Sequence, residues 1–540
     1  MSSRVDGVDP VDIEAGQTGP NRANTSPVIP RRDDELSKRA PVTARGVAIL
    51  GGRALAALTG IAAAVAVVMA VGLVDLPRVV AVPPSQIVIP VPTSQQLVCP
   101  GSILQLSDQA GQQAGVPSPV GTPSITAGAG GSGAEPGQAT SSDAGTGGTS
   151  AAPTIISAAP GGTVSGGTDQ AGSSGSQAQL LDVGSNDGGL AGLAAAACVP
   201  AAGDSWLVGG STLVGRTTLL TLTNPTAVAA SVTVELFGET GALAAPGTRG
   251  ITVVPGGQRV LSIAGFRPDI SAPVVHVVSV GGTVAATLQH SIIRGLKPGG
   301  IDLVGAVAAP ALSTVIPGLV VGDLAAVQAL RSGGAPFADI DTVLRVFPPD
   351  VDGSAGTAQI TVSLTPESDG GSAVAGSAVA AAPTTFTVEI PVGRVTDIPL
   401  QETGSGTYTV RIESTRPVVA AARSSSVSGD SVDVAWFVAT PELRLQARVS
   451  AAEAPAPVLH LVNPTQQAAT VRVMPEVGAP VVVAVPASGA ASTPLQPGMS
   501  YTIEGFDRLF GAVSVGSPGR VAHYAVLPPG TGSTPITVYR

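Results

Sequence analysis

The stretch LLTLTNPT at residues 219–226 returns almost unchanged as VLHLVNPT at residues 458–465. In both copies apolar residues alternate with other residues and the run stops at Asn-Pro-Thr, which is typical of a half-buried strand that ends in a turn. A third copy, TVLRVFPPD at 342–350, keeps the strand but replaces Asn-Pro by Pro-Pro. The shared feature is therefore a strand followed by a proline corner, and not a binding sequence.

The sequence that follows each corner also repeats, as SVTVELFG (231–238), QITVSLTP (359–366) and TVRVMPEVG (470–478). Proline turns and further alternating runs then follow in the same order, so we predict three related β-modules. These β-modules are predicted at 205–305, 340–440 and 455–540. A first exported module is predicted before them at 76–204, with a low-complexity insert at about 108–178, and a connecting segment is predicted at 306–339.

The composition favours the same fold class. A chain of 540 residues is too long for one core, and its 69 Gly and 47 Pro, together with many small and β-branched residues, favour short strands and frequent turns. We predict an all-β exported region of repeated β-sandwich (Ig-like) modules, preceded by one transmembrane helix and a disordered tail. A β-propeller-like repeat assembly is the alternative, because repeated all-β units also build propeller blades.

Residues 54–74 carry no charged side chain and, as a helix rising about 1.5 Å per residue, would span roughly 30 Å, the thickness of a hydrocarbon core. Lys38, Arg39, Arg45 and Arg53 precede this segment, so the positive-inside rule places residues 1–53 in the cytoplasm and the rest outside. We predict an uncleaved signal anchor in the cell membrane behind a disordered cytoplasmic tail, with a cleaved signal peptide as the alternative.

The two cysteines, Cys99 and Cys198, both lie in the predicted exported region, where a disulfide can persist. Each ends an apolar run near a proline, and together they flank the Gly/Ser-rich insert, so the two form a candidate disulfide. Two inert buried thiols are the alternative. The insert itself is too poor in apolar residues to offset its ordering entropy, and we expect it to be a loop or linker.

The net charge of −10, without a cluster of basic residues, makes a nucleic-acid partner unfavourable, because an acidic surface repels phosphate. No nucleophile elbow, phosphate loop or dinucleotide motif occurs, so the sequence assigns no catalytic residue, no cofactor and no metal, and leaves enzymatic activity open. The histidines form no pair at metal-ligand spacing. They are His276, His290, His460 and His523.

The remaining candidates have ordinary structural interpretations. Strand alternation puts Thr221, Arg345 and His460 on the outward face of equivalent strands, where we expect exposed side chains. Trp206 and Trp436 adjoin apolar strands and are expected to pack in the core. The acidic pairs are expected to lie in solvated turns rather than in a cation site. These pairs are Asp350 with Asp352, and Asp430 with Asp433.

The order of a signal anchor, LVCPG (97–101), a variable Gly-rich stretch, AAACVPAAGDSWLVGGSTLVGRTTLLTLTNPT (195–226) and VIPGL (315–319) resembles an uncharacterised family of actinobacterial envelope proteins. Members of that family are single-pass or secreted chains described only as a domain of unknown function. The resemblance implies an exported actinobacterial protein and carries over no activity and no site residue.

We therefore expect a non-catalytic, membrane-anchored protein of the cell envelope that presents β-sandwich modules to a protein or wall-polymer partner, with the membrane itself bound through residues 54–74. An envelope enzyme, or an accessory to one, that acts on cell-wall polysaccharide is the first alternative. An exported domain that regulates a membrane partner is the second. The sequence makes no prediction of oligomeric state.

Overall fold

The structure is a computed structural model. It describes residues 85–88, 96–106, 117–128, 139–141, 154–157, 174–182, 189–334, 337, 339–350, 353, 356–367, 383–400, 403–529 and 536–539. The predicted cytoplasmic tail (1–53) and signal anchor (54–74) lie outside these residues, as does much of the predicted insert. Among the helices that are described, none is both long and apolar enough to cross a membrane.

The described chain is mostly β-strand, which confirms the all-β prediction. Two short helices are described, α1 (Ile263–Phe266) and α2 (Leu324–Arg331), and the Asp323 carboxylate caps α2 by accepting from the N–H groups of Ala325 and Ala326. Near the two ends of the described chain, β1 (Ser85–Val88) pairs with β34 (Ile536–Tyr539). The other strands fall into four groups, which we term modules 1 to 4.

Each module is a consecutive run of strands. Module 1 contains β2 (Gln96–Cys99), β3 (Ile103–Leu106), β4 (Pro117–Val120), β5 (Ser124–Gly128), β6 (Ala139–Ser141), β7 (Thr154–Ser157), β8 (Ser174–Leu181) and β9 (Gly192–Ala197), and is followed by the short β10 (Val199–Pro200). Module 2 contains β11 (Asp204–Val208), β12 (Arg216–Thr223), β13 (Ala230–Gly238), β14 (Gly241–Leu243), β15 (Ile251–Val253), β16 (Gln258–Ser262), β17 (Val274–Gly281), β18 (Ala285–Arg294) and β19 (Lys297–Val304).

The last two modules have one long strand each. Module 3 contains β20 (Ala311–Val321), β21 (Val343–Phe347), β22 (Thr357–Pro366), β23 (Thr384–Pro391), β24 (Thr396–Pro399), β25 (Gly406–Ser428) and β26 (Ser431–Val438). Module 4 contains β27 (Leu443–Ser450), β28 (Val458–Val462), β29 (Ala469–Pro475), β30 (Val481–Val485), β31 (Ala490–Pro494), β32 (Ser500–Ser517) and β33 (Arg520–Ala525).

One order of antiparallel pairing recurs in modules 2, 3 and 4. In module 4 the first half of β32 pairs with β27 and β29, and its second half pairs with β28 and β33. In module 3 the long strand β25 does the same with β20 and β22, and then with β21 and β26. In module 2 the long strand is divided into β17 and β18, with the same partners in order.

Module 1 contains a shorter version of this order. Here β7 pairs with β2 and β6, while β8 pairs with β5 and β9. A disulfide of 2.03 Å joins Cys99 at the end of β2 to Cys198 just after β9, so it links the first and last strands of the module. The two cysteines lie 99 residues apart in the chain. The sequence is compatible with this bond and with two separate thiols, and the structure contains the bond.

Side-chain alternation forms the cores. In β13 the burial pattern alternates, and Val232, Val234 and Leu236 are almost fully buried while Glu235 between them is not. These residues pack against Leu220 and Leu222 of β12, the strand in the repeated LLTLTNPT stretch. The strand before the corner is therefore a core strand of its module.

Two strands lie outside the predicted module boundaries. β20 lies in the predicted connecting segment 306–339 and pairs with β25, so module 3 begins earlier than the sequence indicated. β27 lies between the predicted ranges 340–440 and 455–540. In β20 the strand signal is interrupted by Pro317 and Gly318, where the pairing register shifts between Ile316 and Leu319.

The corner itself is built by asparagine. Asn224 Oδ1 accepts from the N–H and hydroxyl of Thr226, and its amide donates to the carbonyl oxygens of Val228 and Val253. Asn463 repeats this arrangement with Thr465. Both asparagines are 0% exposed. The two donors and two acceptor positions of each side chain therefore close a turn and do not bind a ligand.

The four modules pack around a common centre. Their final strands, β9, β19, β26 and β33, contact one another in a cycle, in which β9 and β26 each pack against both β19 and β33. Module 4 thus returns to module 1, and Ala178, Leu193 and Ala195 of module 1 belong to the hydrophobic core of module 4. The described chain is closed on itself.

Candidate functional site

Asp433 of β26 lies where the four final strands meet. Its carboxylate accepts from the N–H of Leu193 at 2.8 Å, of Ile301 at 3.1 Å, of Val434 at 3.0 Å and of Val521 at 3.2 Å. These donors come one from each module, and Asp433 is 0% exposed. The four N–H groups and this carboxylate are termed the central carboxylate site.

Neighbouring glycines leave the room for this carboxylate. Gly192 and Gly300 precede two of the donors, and a Cβ added at Gly192 would lie 2.6 Å from Asp433 Oδ1. Both glycines also have positive φ, of 155° and 116°. Burial raises the pKa of Asp433 to about 7, against the opposing effect of its N–H donors. The site resembles an anion-binding nest that is already filled by a side chain of the protein.

A second buried polar site joins modules 2 and 3. The guanidinium of Arg345 on β21 donates to both carboxylate oxygens of Asp397, at 2.7 and 2.9 Å. It also donates to backbone carbonyl oxygens of module 2, at Gly210 (2.9 Å), Ser271 (3.2 Å) and Pro273 (3.3 Å). The Arg345 side chain is 0% exposed, so a full positive charge is held by hydrogen bonds that cross between modules.

Trp436 extends this junction. The Arg345 guanidinium lies 4.5 Å above the Trp436 ring. The indole N–H of Trp436 donates to His290 Nδ1 at 3.2 Å, and the backbone N–H of Trp436 donates to Asp302 at 2.7 Å. Burial lowers the pKa of His290 to about 3, and burial raises the pKa of Asp302 well above its usual value. At neutral pH the junction therefore contains a neutral imidazole.

The junction of modules 3 and 4 has the geometry of a serine–histidine–acid triad. His460 Nε2 lies 2.8 Å from Ser514 Oγ, and His460 Nδ1 lies 2.6 Å from Glu367 Oε2. The other Glu367 oxygen accepts from the Gly318 N–H at 2.9 Å and from the Thr409 hydroxyl at 2.7 Å. These are the hydrogen bonds by which a base is oriented towards a nucleophile in hydrolases.

The surroundings of these side chains differ from an active site. The side chains of His460 and Glu367 are 3% and 1% exposed, and Ser514 is 7% exposed. A Cβ at Gly318, whose φ is 72°, would lie 2.4 Å from the His460 ring, so the backbone of module 3 covers the imidazole. Two small cavities, of about 30 and 20 Å³, are lined by other residues, Tyr524 among them, and suit a water rather than a substrate. In this structure the three residues join modules 3 and 4 through hydrogen bonds.

One further histidine lies nearer the surface. His276 stacks on Trp206 with ring centroids 3.9 Å apart, and its two nitrogens each lie 3.0 Å from a carboxylate oxygen, of Glu235 and of Asp204. Because the two carboxylates flank opposite nitrogens, they do not converge on one point that a metal could occupy. Among the described residues no group of three or more His, Cys, Asp or Glu side chains is placed to hold a metal ion.

The structure changes several sequence interpretations. The expectation that Thr221, Arg345 and His460 are exposed is wrong, because they are 8%, 0% and 2% exposed and the last two bind the preceding module. Asp433 does not lie in a solvated turn, although Asp430 does. Trp206 and Trp436 are buried in one core cluster, as predicted. Asp350 is exposed, and Asp352 lies outside the described residues.

The pH dependence of stability is expected to report on the buried histidines. Burial lowers the pKa of His523, which lies beside His460 and donates to the Pro317 carbonyl oxygen, to about 3. The unfolded chain binds a proton near pH 6.5 and the folded chain does not, so stability should fall as the pH drops from about 6.5 to about 3. His290 contributes in the same direction.

The variant His523→Gln removes one of these titrating groups and should make the fall in stability less steep than in the unsubstituted protein. The measurement is the midpoint of thermal unfolding at a series of pH values for both proteins. Parallel curves would show that His523 is protonated alike in the folded and unfolded chain, contrary to the effect of its burial.

Recurrent pairing, buried junctions and a shared central site define a multi-module all-β protein. Comparison with protein-family models matches residues 146–487 to DUF5719, a family of unknown function, and because the match spans more than half of the chain, the protein belongs to this family. A comparison with curated proteins found no match. The central carboxylate site and both junctions involve residues within this family region, although Ser514 and Val521 lie beyond it.

Proposed function

We propose that the protein is a non-catalytic, membrane-anchored scaffold of the actinobacterial cell envelope, which holds its modules rigidly for a protein or wall-polymer partner. The charge distribution before residues 54–74 supports the anchor and its orientation. The disulfide supports an exported location, because such bonds persist in oxidising compartments.

The observation that carries this proposal is that the chemically reactive side chains are buried and hydrogen-bonded between modules. Asp433, His460, Glu367 and Arg345 are the side chains whose settings most resemble functional chemistry, and each is buried in hydrogen bonds that cross between modules. Buried, fully hydrogen-bonded charges fix one arrangement of the elements around them. We infer that these residues are retained for rigidity and that partner recognition occurs on the outer surfaces.

In this proposal each module is a β-sandwich. In modules 3 and 4 one long strand, β25 or β32, runs through both halves of the module, and in module 2 the same path is divided into β17 and β18. The four sandwiches are arranged in a ring, which combines the two architectures considered from the sequence. A rigid ring presents several outer edges and loops in fixed directions, and it suits multivalent contact with a partner in the envelope.

A second candidate function is hydrolysis of a cell-wall polysaccharide or its acyl groups. The observation in its favour is the hydrogen-bonded series Ser514, His460 and Glu367. In that case the serine hydroxyl would be the nucleophile and His460 its base, and modules 3 and 4 would have to separate to admit substrate.

The two functions predict opposite results for Ser514→Ala. Removing the hydroxyl takes away the only nucleophile of the series but leaves the His460–Glu367 pair, so a scaffold should keep its function. The measurement is restoration of detergent resistance in a strain that lacks the gene, with the amount of protein in the membrane fraction measured in parallel. Ser492→Ala, a buried serine on neighbouring strand β31, is the matched control.

We expect both serine variants to restore resistance fully, and a chain without residues 205–540 to fail. Loss of resistance with Ser514→Ala alone, at normal protein amount, would replace the scaffold by the hydrolase. Full restoration by the truncated chain would contradict both, because it would place the activity before residue 205.

A further inference from the structure

The outer edge strand of module 4 differs from its equivalents. In module 2 this edge is divided into β14 and β15, of three residues each, and in module 3 the edge strand β23 carries Glu389 and exposed threonines. Short strands and polar residues are the usual means by which proteins protect a sheet edge from pairing. The edge strand β30 has neither, since it reads VVVAV and contains no polar side chain.

β30 is also open. Within the described part of the chain it pairs with β29 and with no other strand. Val483 and Val485 point into the core, while Val481 is 45% and Val482 61% exposed, and Val477 just before the strand is 77% exposed. A β-branched, uncharged edge of this kind offers both free main-chain groups and apolar side chains to an added strand.

The ends of β30 determine which strand would fit. Pro480 and Pro486 flank the strand, and neither has an N–H group to donate to a partner strand. Both lie three residues from Val483, so the sequence PVVVAVP is nearly symmetric about its middle residue. An antiparallel partner with the same sequence, centred on Val483, would place proline opposite proline and aliphatic residue opposite aliphatic residue throughout.

We propose that β30 is a homotypic docking edge, which pairs antiparallel with β30 of a second copy of the chain. The partner is thus a sequence already present in the protein, and the contact is two-fold symmetric, as is usual for dimers of identical chains. Val482 of one copy lies opposite Ala484 of the other, and no charged residues meet directly across the pair. The inference rests on the proposed scaffold function, whose outer edges it assigns to self-association.

The pairing is expected to be weak in free solution. Five residues a side bury well under the roughly 1,000 Å² of a stable interface. When both copies are held on one membrane by their anchors, confinement raises their effective concentration and strengthens the same contact. A reversible, membrane-dependent dimer is therefore the expected state.

Two double variants test the pairing and its register. Val482→Lys with Ala484→Lys places lysine opposite lysine in the pair, whereas Val482→Lys with Ala484→Glu places lysine opposite glutamate at both symmetric positions. Both variants add charges at the same exposed sites and should fold alike, which thermal unfolding will check. The full chain is reconstituted in lipid vesicles and in detergent, and dimer is measured by cross-linking and by light scattering.

In vesicles we expect dimer in the unsubstituted protein, loss of dimer in the Lys/Lys variant and its recovery in the Lys/Glu variant, and in detergent we expect less dimer of the unsubstituted protein. Equal dimer in all three would overturn the proposal and assign association to another surface, such as the anchor. Monomer of the unsubstituted protein in vesicles, or monomer of both variants there, would overturn it as well. None of these failures would affect the scaffold function, which the Ser514→Ala comparison tests separately.

Discussion

Replacing Asp433 by alanine is expected to lower the free energy of unfolding by at least about 4 kcal/mol. The change leaves the N–H groups of Leu193, Ile301, Val434 and Val521 without an acceptor, and a buried donor without a partner costs roughly 1–3 kcal/mol. Such a loss approaches the whole stability of many proteins, so the variant is expected to be recovered in low yield. The measurement is the denaturant midpoint, followed by tryptophan fluorescence.

The control for this variant is Asp433→Asn. Asparagine keeps the size of the side chain and one acceptor oxygen, but it directs an NH₂ group towards two of the donors. The free energy of unfolding should therefore fall, but by less than in Asp433→Ala. Hydrogen exchange at the four donor amides gives a direct reading, because all four should lose protection together in Asp433→Ala. Loss of protection at Val434 alone would show that the other modules do not depend on this carboxylate.

Arg345→Met is expected to cost about 3–5 kcal/mol. Methionine fills part of the same volume, but the change leaves the Asp397 carboxylate without its partner and removes the donors that bind the Gly210 and Pro273 carbonyl oxygens. The Arg345 guanidinium holds the pKa of Asp397 below its usual value although burial acts in the opposite direction. Fluorescence of Trp436, which lies under this guanidinium, and denaturant unfolding measure the effect.

A double-mutant cycle separates the ion pair from the packing. When Asp397→Leu is added to Arg345→Met, no unpaired charge remains, so the double variant should be more stable than the sum of the two single losses predicts. Arg345→Lys should not restore stability, because an ammonium group cannot reach the fork of Asp397 and the module 2 carbonyl oxygens together. Simple additivity in the cycle would show that Arg345 and Asp397 act independently.

Local patterns predicted most strands of modules 2 to 4 and their repetition. They did not predict β4 to β7 and most of β8, which lie in the stretch expected to be a loop or linker. The alternation in 219–223 and 458–462 identified core strands, and the Asn-Pro-Thr corner was recognised as a turn, which the hydrogen bonds of Asn224 and Asn463 explain. The all-β class follows from such local evidence, since turn residues and alternating runs act over a few positions. β20 was missed because Pro317 and Gly318 interrupt its pattern.

The buried polar residues could not be found in this way, because their partners are distant in the chain. Asp433 accepts from residues 240, 132 and 88 positions away, and nothing in SGDSVDVAWF distinguishes it from Asp430 in the adjoining turn. Arg345 was assigned to an outward face by alternation, but all five residues of β21 are buried because its second face packs against module 2. A charged residue in the middle of a core strand was the one available signal.

The closed cycle of modules has a consequence for how the protein is made. Module 1 packs against module 2, but Leu193 and Ala195 of module 1 also complete the core of module 4. One side of module 1 therefore stays uncovered until module 4 has been made. A chain that ends before module 4 would expose that apolar surface and leave Asp433 without the Val521 donor. We expect chains that end before module 4 to be more susceptible to proteases than the full chain, because this apolar surface stays uncovered.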